Sequence, residues 1–311
     1  MPSILITGAA GFIGYHLQQL WQDKYLVQGI DLLEQATLAV ALRSKKIKNI
    51  NHASIHDNFI DNLPQKPDLL VHLAAETGIS GSIHAPNKYL HANVLGTFNV
   101  LEQCRKNGVK HLIYASSSSV YSPNQSVMHE NSDTSKQLSF YGTSKKMSEV
   151  MIENYCAQFD ITAIGLRFFT VYGSYTRPDM AAYKFMQAIS QNKKITLYNE
   201  GRVMRDFTHV SDVVHAIDLL AEKIQTQTPG THQLFNIGFG KPISVKNYAE
   251  SIAEMLEREI TFEFKQLPNN ELTSTHSNSD KLHNFIGYKP IIPLQIGVKE
   301  MTDWFKVTRY E

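Results

Sequence analysis

The first fourteen residues restrict the possible folds more than any other stretch. An apolar run, Ile4 to Thr7, leads directly into Gly8, Gly11 and Gly14, and an amphipathic segment carrying Phe12, Ile13, Leu17 and Leu20 follows. Strand, glycine turn and helix in that order form the opening unit of a dinucleotide-binding α/β sheet. Glycines let the backbone approach a pyrophosphate whose charge meets the helix N-terminus, an approach that side chains would block. The G-x-x-G-x-x-G spacing is weak as a bare pattern but strong at a first strand-helix junction. Gly8, Gly11, Phe12, Ile13 and Gly14 are therefore assigned to a nucleotide cofactor.

A second strand near Leu26 to Ile30 ends at Asp31, about 20 residues beyond the glycines. An acid there accepts from ribose hydroxyls and repels a 2′-phosphate, which favours NAD over NADP; the alternative is a solvated strand-end carboxylate. A third strand is expected near Ile47 to Ile55 and a fourth from Asp68 to Ala75. Strands alternating with helices imply a parallel sheet with right-handed crossovers and a ligand at the carboxyl ends of its strands. The fold class is thus α/β, a Rossmann-type doubly wound parallel sheet. With 311 residues the chain has room for one large domain plus an appendage, or for two domains.

The chemistry is expected between Ser116 and Lys145. An apolar run, His111 to Ala115, opens into Ser116, Ser117, Ser118 and Ser119, and Tyr141 and Lys145 stand four apart at the head of a segment with Met147, Val150, Met151 and Tyr155 at helical spacing. A phenol titrates near pH ~10, so a positive charge one turn away should favour its phenolate. A tyrosine so tuned takes a proton from a hydroxyl and returns it, while a serine hydroxyl holds the same oxygen. Tyr-x-x-x-Lys alone occurs by chance on many helices, and its meaning comes from context. After Ala75, the polar loop from Glu76 to Ser82, with Thr77, forms a wall of the site. A long helix is read from Tyr89 to Asn107. Asn93 within it either braces the site, where it is counted with the cofactor residues, or lies on a wet face.

A net charge of +1 makes no electrostatic case for nucleic acid or anionic membrane. Cys104 and Cys156 are read as reduced, buried thiols, no Cys/His spacing resembles a metal site, and no run reaches the ~18 apolar residues of a membrane span. The chain begins without a basic leader, so a cytoplasmic protein is expected.

With the glycine loop, His72 to Ala75, the serine run and Tyr141/Lys145 in this order, the chain resembles the extended short-chain dehydrogenase/reductases that act on nucleotide sugars, over nearly its whole length. Within them it is most similar to UDP-glucuronate 4-epimerases, through Leu166 to Gly173 followed by Arg177 to Met180, Arg205 to Asp212, and Phe235 to Gly238. The resemblance implies NAD as cofactor, with Leu73, Ala74 and Ala75 beside it, and Ser117, Tyr141 and Lys145 as catalytic residues. It also implies a UDP-sugar held by Thr77, Ser117, Ser118, Thr170, Arg177 and Arg205. Arg205 meets the pyrophosphate, and Thr170 and Arg177 hold a sugar carboxylate, for which a guanidinium fork is suited. A homodimer through a four-helix bundle follows from the same likeness. So does an NAD-binding unit of residues 1–168 with about 203–236, interleaved with a smaller α/β substrate-binding cap of about 169–202 and 237–311.

Related dehydratases carry Asp-Glu after the catalytic serine or threonine, and decarboxylases a Glu just before the Val-Tyr; here Ser118 and Ser119 stand there. Oxidation and re-reduction at C4 is the reaction left. The chain departs from the epimerase pattern at Leu32 and Leu33, at Ser54, at Ser80 in place of an arginine, at Asn269 to Glu271, and at Ser174 to Thr176. None of these touches the proton chemistry. They leave open a neutral UDP-sugar of the glucose or N-acetylglucosamine type, and a third reading is a non-catalytic NAD-sensing protein.

Overall fold

A computed structural model describes residues 1–33 and 43–308. The chain opens with β1 (Ser3–Thr7), α1 (Phe12–Trp21), β2 (Leu26–Asp31), β3 (Ile50–His52) and β4 (Leu69–His72). Two short helices, α2 (Ile79–His84) and α3 (Pro86–Tyr89), a π turn (Leu90–Leu95) and α4 (Gly96–Asn107) lead to β5 (His111–Ser117), α5 (Phe140–Phe159) and β6 (Thr162–Phe168). Then come β7 (Thr170–Tyr172), α6 (Ala181–Ser190), β8 (Ile195–Tyr198), β9 (Met204–Arg205), β10 (Phe207–His209) and α7 (Val210–Lys223). The last elements are β11 (His232–Ile237), β12 (Ile243–Ser244), α8 (Val245–Leu256), β13 (Phe262–Lys265), α9 (Asp280–Ile286) and α10 (Leu294–Thr308).

Seven parallel strands form the main sheet in the order β11-β6-β5-β4-β1-β2-β3. Apolar side chains point to both faces. Ile4, Ile6, Val71, Ile113 and Ile164 pack with Val213 and Ile217 of α7, whereas Leu5, Leu70, Leu112 and Ala163 pack with Val100, Leu101 and Ile152 of α4 and α5. A strand buried on both faces is hydrophobic at successive positions, which is why Ile4 to Thr7 and Leu69 to His72 read as unbroken apolar runs. A separate core gathers Phe185, Met186, Ile195, Tyr248, Ile252 and Met301 around the parallel pair β8/β13 and helices α6, α8 and α10.

Three features differ from expectation. The third strand spans three residues rather than nine, Ile50 to His52 pairing with Gly29 to Asp31 of β2. The long helix before β5 is broken by the π turn, where the Thr97 and Ser148 hydroxyls both donate to the Asn93 carbonyl (2.6 and 3.0 Å). An inserted residue of this kind re-aims the side chains that follow. The edge strand β11 begins with half-exposed polar residues and has a weaker apolar signature than its neighbours, so periodicity alone does not mark it. The segment at Arg205 pairs outside the main sheet, β9 with β12 and β10 with β7, before α7 returns to pack on α1.

A buried ion pair joins the elements that carry the serine run and Tyr141. Glu149 of α5 accepts from the Ser116 hydroxyl (2.6 Å) and from Nε and Nη2 of Arg167 in β6 (2.8 and 2.9 Å). Both charged side chains are only 2% exposed. Burial alone would push the Glu149 carboxyl up, but Arg167 and Ser116 bring it below its ordinary value. Replacing Arg167 with leucine should therefore strand a buried carboxylate and lower the unfolding free energy by about 3–5 kcal/mol. Denaturant titration of both proteins measures it.

Candidate active site

A cleft of about 760 Å³ opens at the carboxyl ends of the strands. At one end the glycine loop meets β4. Gly8 has φ +70°, and a Cβ there would stand 2.6 Å from the Ala74 nitrogen; at Gly14 it would stand 2.3 Å from the Gly8 carbonyl oxygen. The glycines thus serve the close packing of the loop on itself and on Ala74 as well as keeping the cleft wall bare. Asp31 ends β2 beside this loop, accepting from the Ala10 and Leu32 amides at 2.8 Å each. Burial raises its carboxyl pKa, against the pull of those amides and of Arg43. A side-chain-free cradle with an anchored acid at its rim fits a dinucleotide with free ribose hydroxyls.

At the other end α5 begins against the serine run. The Ser139 hydroxyl caps the helix, accepting from the Gly142 amide (3.1 Å), and a Cβ at Gly142 would lie 2.2 Å from the Ser119 carbonyl oxygen. Only glycine permits this approach, which brings Tyr141 to Ser117. Ser117 Oγ accepts from the Ser119 amide (3.1 Å), leaving its proton for the Tyr141 side or a ligand oxygen. Lys145 donates to the Ala115 carbonyl (3.0 Å).

Burial acts on both members of the Tyr141/Lys145 pair. Burial raises the Tyr141 pKa above its ordinary value, and the groups that oppose it are the Ser117 hydroxyl and the Arg177 charge. Lys145, expected to supply that charge, is itself pushed down to about 8 by burial. With its pKa at about 8 the Lys145 ammonium is still mostly protonated at neutral pH, so a positive charge remains one turn from Tyr141.

Of the residues singled out from sequence, Gly8, Gly11, Phe12, Ile13, Gly14, Asp31, Leu73, Ala74, Ala75, Thr77, Ser117, Ser118, Tyr141, Lys145, Thr170, Arg177 and Arg205 all line this cleft. Asn93 does not. It is buried, its amide oxygen accepting from the Glu76 nitrogen (2.9 Å) and its Nδ2 donating to the Glu76 carbonyl (3.0 Å) and Ser144 (2.9 Å), so it braces the loop rather than meeting a cofactor. Ser54 is in the wall, whereas Ser80 is exposed on α2 and outside it.

Of the charged wall residues, Glu76 stands in the loop already placed at the wall, Asp179 in the Arg177 to Met180 segment and Glu271 in the Asn269 to Glu271 departure, whereas Arg43 belongs to no motif. Arg43 is buried, its Nε donating to the Ala10 carbonyl (2.6 Å) and Nη1 to that of Tyr175 (3.0 Å), so it ties the glycine loop to the segment leading to Arg177. Asp179 holds Arg177, through Nε (2.9 Å) and Nη2 (2.6 Å). Glu271 holds Nη2 of Arg205 (2.9 Å), whose Nη1 donates to the Met204 and Leu272 carbonyls. Asp179, two residues beyond Arg177, is the one pairing the sequence makes local; Glu271 reaches Arg205 from 66 residues away. Among the described residues no group of three or more His, Cys, Asp or Glu could hold a metal ion, and no helix is long and apolar enough to cross a membrane.

This cleft, with a glycine-lined dinucleotide cradle at one end and a Ser/Tyr/Lys cluster at the other, is that of a short-chain dehydrogenase/reductase. The chain belongs to the NAD dependent epimerase/dehydratase family, which it matches over residues 4–238, and NAD is its cofactor. It is similar to protein CapI of Staphylococcus aureus, at 36% identity over 97% of this chain and 98% of that protein. It is 31% identical to a probable UDP-glucuronate 4-epimerase of Rhizobium meliloti, covering 97% and 96%. Among solved structures it resembles the UDP-glucuronic acid 4-epimerase of Bacillus cereus in complex with UDP-glucuronic acid and NAD, with a TM-score of 0.91 at 28% identity, covering 98% and 99%.

The buried Lys145 makes stability depend on pH. With its folded pKa near 8, below the ordinary 10.5, the native state binds fewer protons than the unfolded chain between these values. Its contribution is unfavourable below pH 8 and is relieved as pH rises toward 10.5. In Lys145→Met that relief should vanish, so the stability difference between variant and wild type narrows across this window, as read from urea midpoints of protein without added nucleotide.

Proposed function

We propose that this chain is a UDP-hexuronate 4-epimerase interconverting UDP-glucuronate and UDP-galacturonate through a 4-keto sugar. The observation that carries this reading is the meeting of Tyr141 and Ser117 in one cleft with the glycine cradle on one side and Arg177 and Thr170 on the other. Likeness to the Rhizobium meliloti and Bacillus cereus proteins supports the substrate class.

NAD, when bound, supplies the hydride acceptor and donor. The chain supplies position and proton transfer. Tyr141 takes the proton of the sugar 4-hydroxyl while Ser117 donates to the same oxygen, and after the sugar presents its other face Tyr141 returns the proton. Lys145, anchored on the Ala115 carbonyl, contributes a nearby donor and charge. Arg205 and its neighbours meet the diphosphate, and Thr170 with Arg177 orients the carboxylate. Ser118 and Ser119 offer no acid for elimination or decarboxylation.

Incubating the NAD-loaded protein with UDP-glucuronate and following the anomeric protons by NMR tests the assignment. UDP-galacturonate should form without a pentose or carbon dioxide. Conversion of UDP-glucose or UDP-N-acetylglucosamine alone would move the substrate to the neutral class, and no turnover of any UDP-sugar would return the non-catalytic reading. Tyr141→Phe should lower kcat about 10²–10⁴-fold, the usual range for losing a general acid-base.

The proposed partition into NAD-binding unit and cap places the sugar between the sheet and the β8/β13 core. A homodimer is also proposed. Leu95 at the end of the π turn, Phe98 of α4, and Met147 and Val150 of α5 are 41–55% exposed on packed helical segments, an apolar surface that a second copy would cover. Phe98→Glu combined with Val150→Glu should halve the mass seen in sedimentation equilibrium.

A further inference from the structure

Both arginines at the substrate end of the cleft are met there by a carboxylate lining the same cleft, Arg177 by Asp179 and Arg205 by Glu271. The pairs differ in what a ligand would bring to them. Every UDP-sugar presents a diphosphate to Arg205, whereas only a hexuronate presents a second anion to Arg177. Asp179 is built into the turn that carries Arg177. The Met180 amide donates to the Arg177 carbonyl (3.1 Å), folding the chain across Pro178 so that Asp179 reaches back to the Nε/Nη2 edge. The Nη1 atom of Arg177 has no partner among the described residues.

We propose that Asp179 sets how strongly this site distinguishes a charged from a neutral sugar. A site that anchors a carboxylate on a bare guanidinium rejects neutral ligands, because they leave the guanidinium desolvated and unpaired. Here Asp179 already compensates Arg177, so a neutral UDP-hexose can occupy the site at little penalty. A hexuronate meanwhile gains only the pull of a compensated charge through the remaining edge of the fork. The inference rests on the UDP-hexuronate reading, in which Arg177 faces the sugar carboxylate. The side chains of Arg177 and Asp179 are 28% and 59% exposed, so the effect lies at the modest end for ion pairs, about fivefold in relative affinity.

The test is calorimetric binding of UDP-glucuronate and UDP-glucose to the NAD-loaded protein, for wild type, Asp179→Asn, Asp179→Ser and Glu271→Gln. Either Asp179 variant should shift the ratio of the two dissociation constants about fivefold toward UDP-glucuronate. Glu271→Gln should move both ligands alike, since both carry the diphosphate. In an Arg177→Gln background, Asp179→Asn should no longer change the ratio. An unchanged ratio in both Asp179 variants, or a shift toward UDP-glucose, would overturn the proposal and leave Asp179 as a residue that merely orients Arg177. Failure of the functional reading is seen separately, as absence of UDP-galacturonate in the NMR assay. The binding ratio is measured whether or not turnover occurs.

Discussion

The catalytic end of this protein depends on one buried carboxylate. Glu149 sits one helical turn beyond Lys145 and is closed off from water, so it must be matched by fixed donors, and these include Ser116 of β5 and Arg167 of β6 on two different strands beside Lys146 of its own helix. Because removing Arg167 would leave charge stranded at low dielectric, the pair favours the register in which α5 and β6 meet. That register brings the head of α5 down on the serine run, where the glycine at 142 lets helix and carbonyl touch. The Tyr141-Ser117 encounter is thus set from behind, by charge, and from in front, by the lack of a side chain.

Burial reshapes the chemistry that spacing alone implies. Lys145 one turn from Tyr141 is a sound arrangement for stabilising a phenolate in a solvated helix. Inside the cleft both groups lose solvent, the lysine falls to about 8 and the tyrosine rises. Ser117 and Arg177 are further groups of this chain that favour the phenolate. Arg177 in turn is partly neutralised by Asp179, so charge at the sugar end and proton affinity at the tyrosine are linked through one guanidinium.

The family relation and the cleft agree on a nucleotide-sugar site, and the departures from the epimerase pattern fall in different places within it. Ser54 and Glu271 are in the wall, where they can alter nucleotide contacts, whereas Ser80 is exposed on α2 and outside it. Ser174 to Thr176 is held against the first helix, the Ser174 carbonyl within 2.8 Å of His16 Nε2 and the Tyr175 hydroxyl accepting from Lys46 (2.6 Å). That segment therefore reaches the site through Arg43 and the glycine loop, a route from cofactor end to sugar end that no motif contains.

By itself the sequence determined the features that depend on local geometry. A strand followed by glycines, an acid closing the second strand, apolar runs buried on both faces and a four-residue Tyr-Lys interval are each legible because periodicity and backbone freedom act over a few residues. What only the tertiary structure decided involves residues far apart in the chain. The edge strand β11 had a weaker apolar pattern because one side of it has no neighbour. The Asn93 amide turned to Glu76 because a π turn re-aimed it. Arg43 came to line the cleft, and Glu271 came to meet Arg205 from 66 residues away, through folding alone, and the proton affinities of Tyr141 and Lys145 followed from desolvation, which no linear pattern encodes.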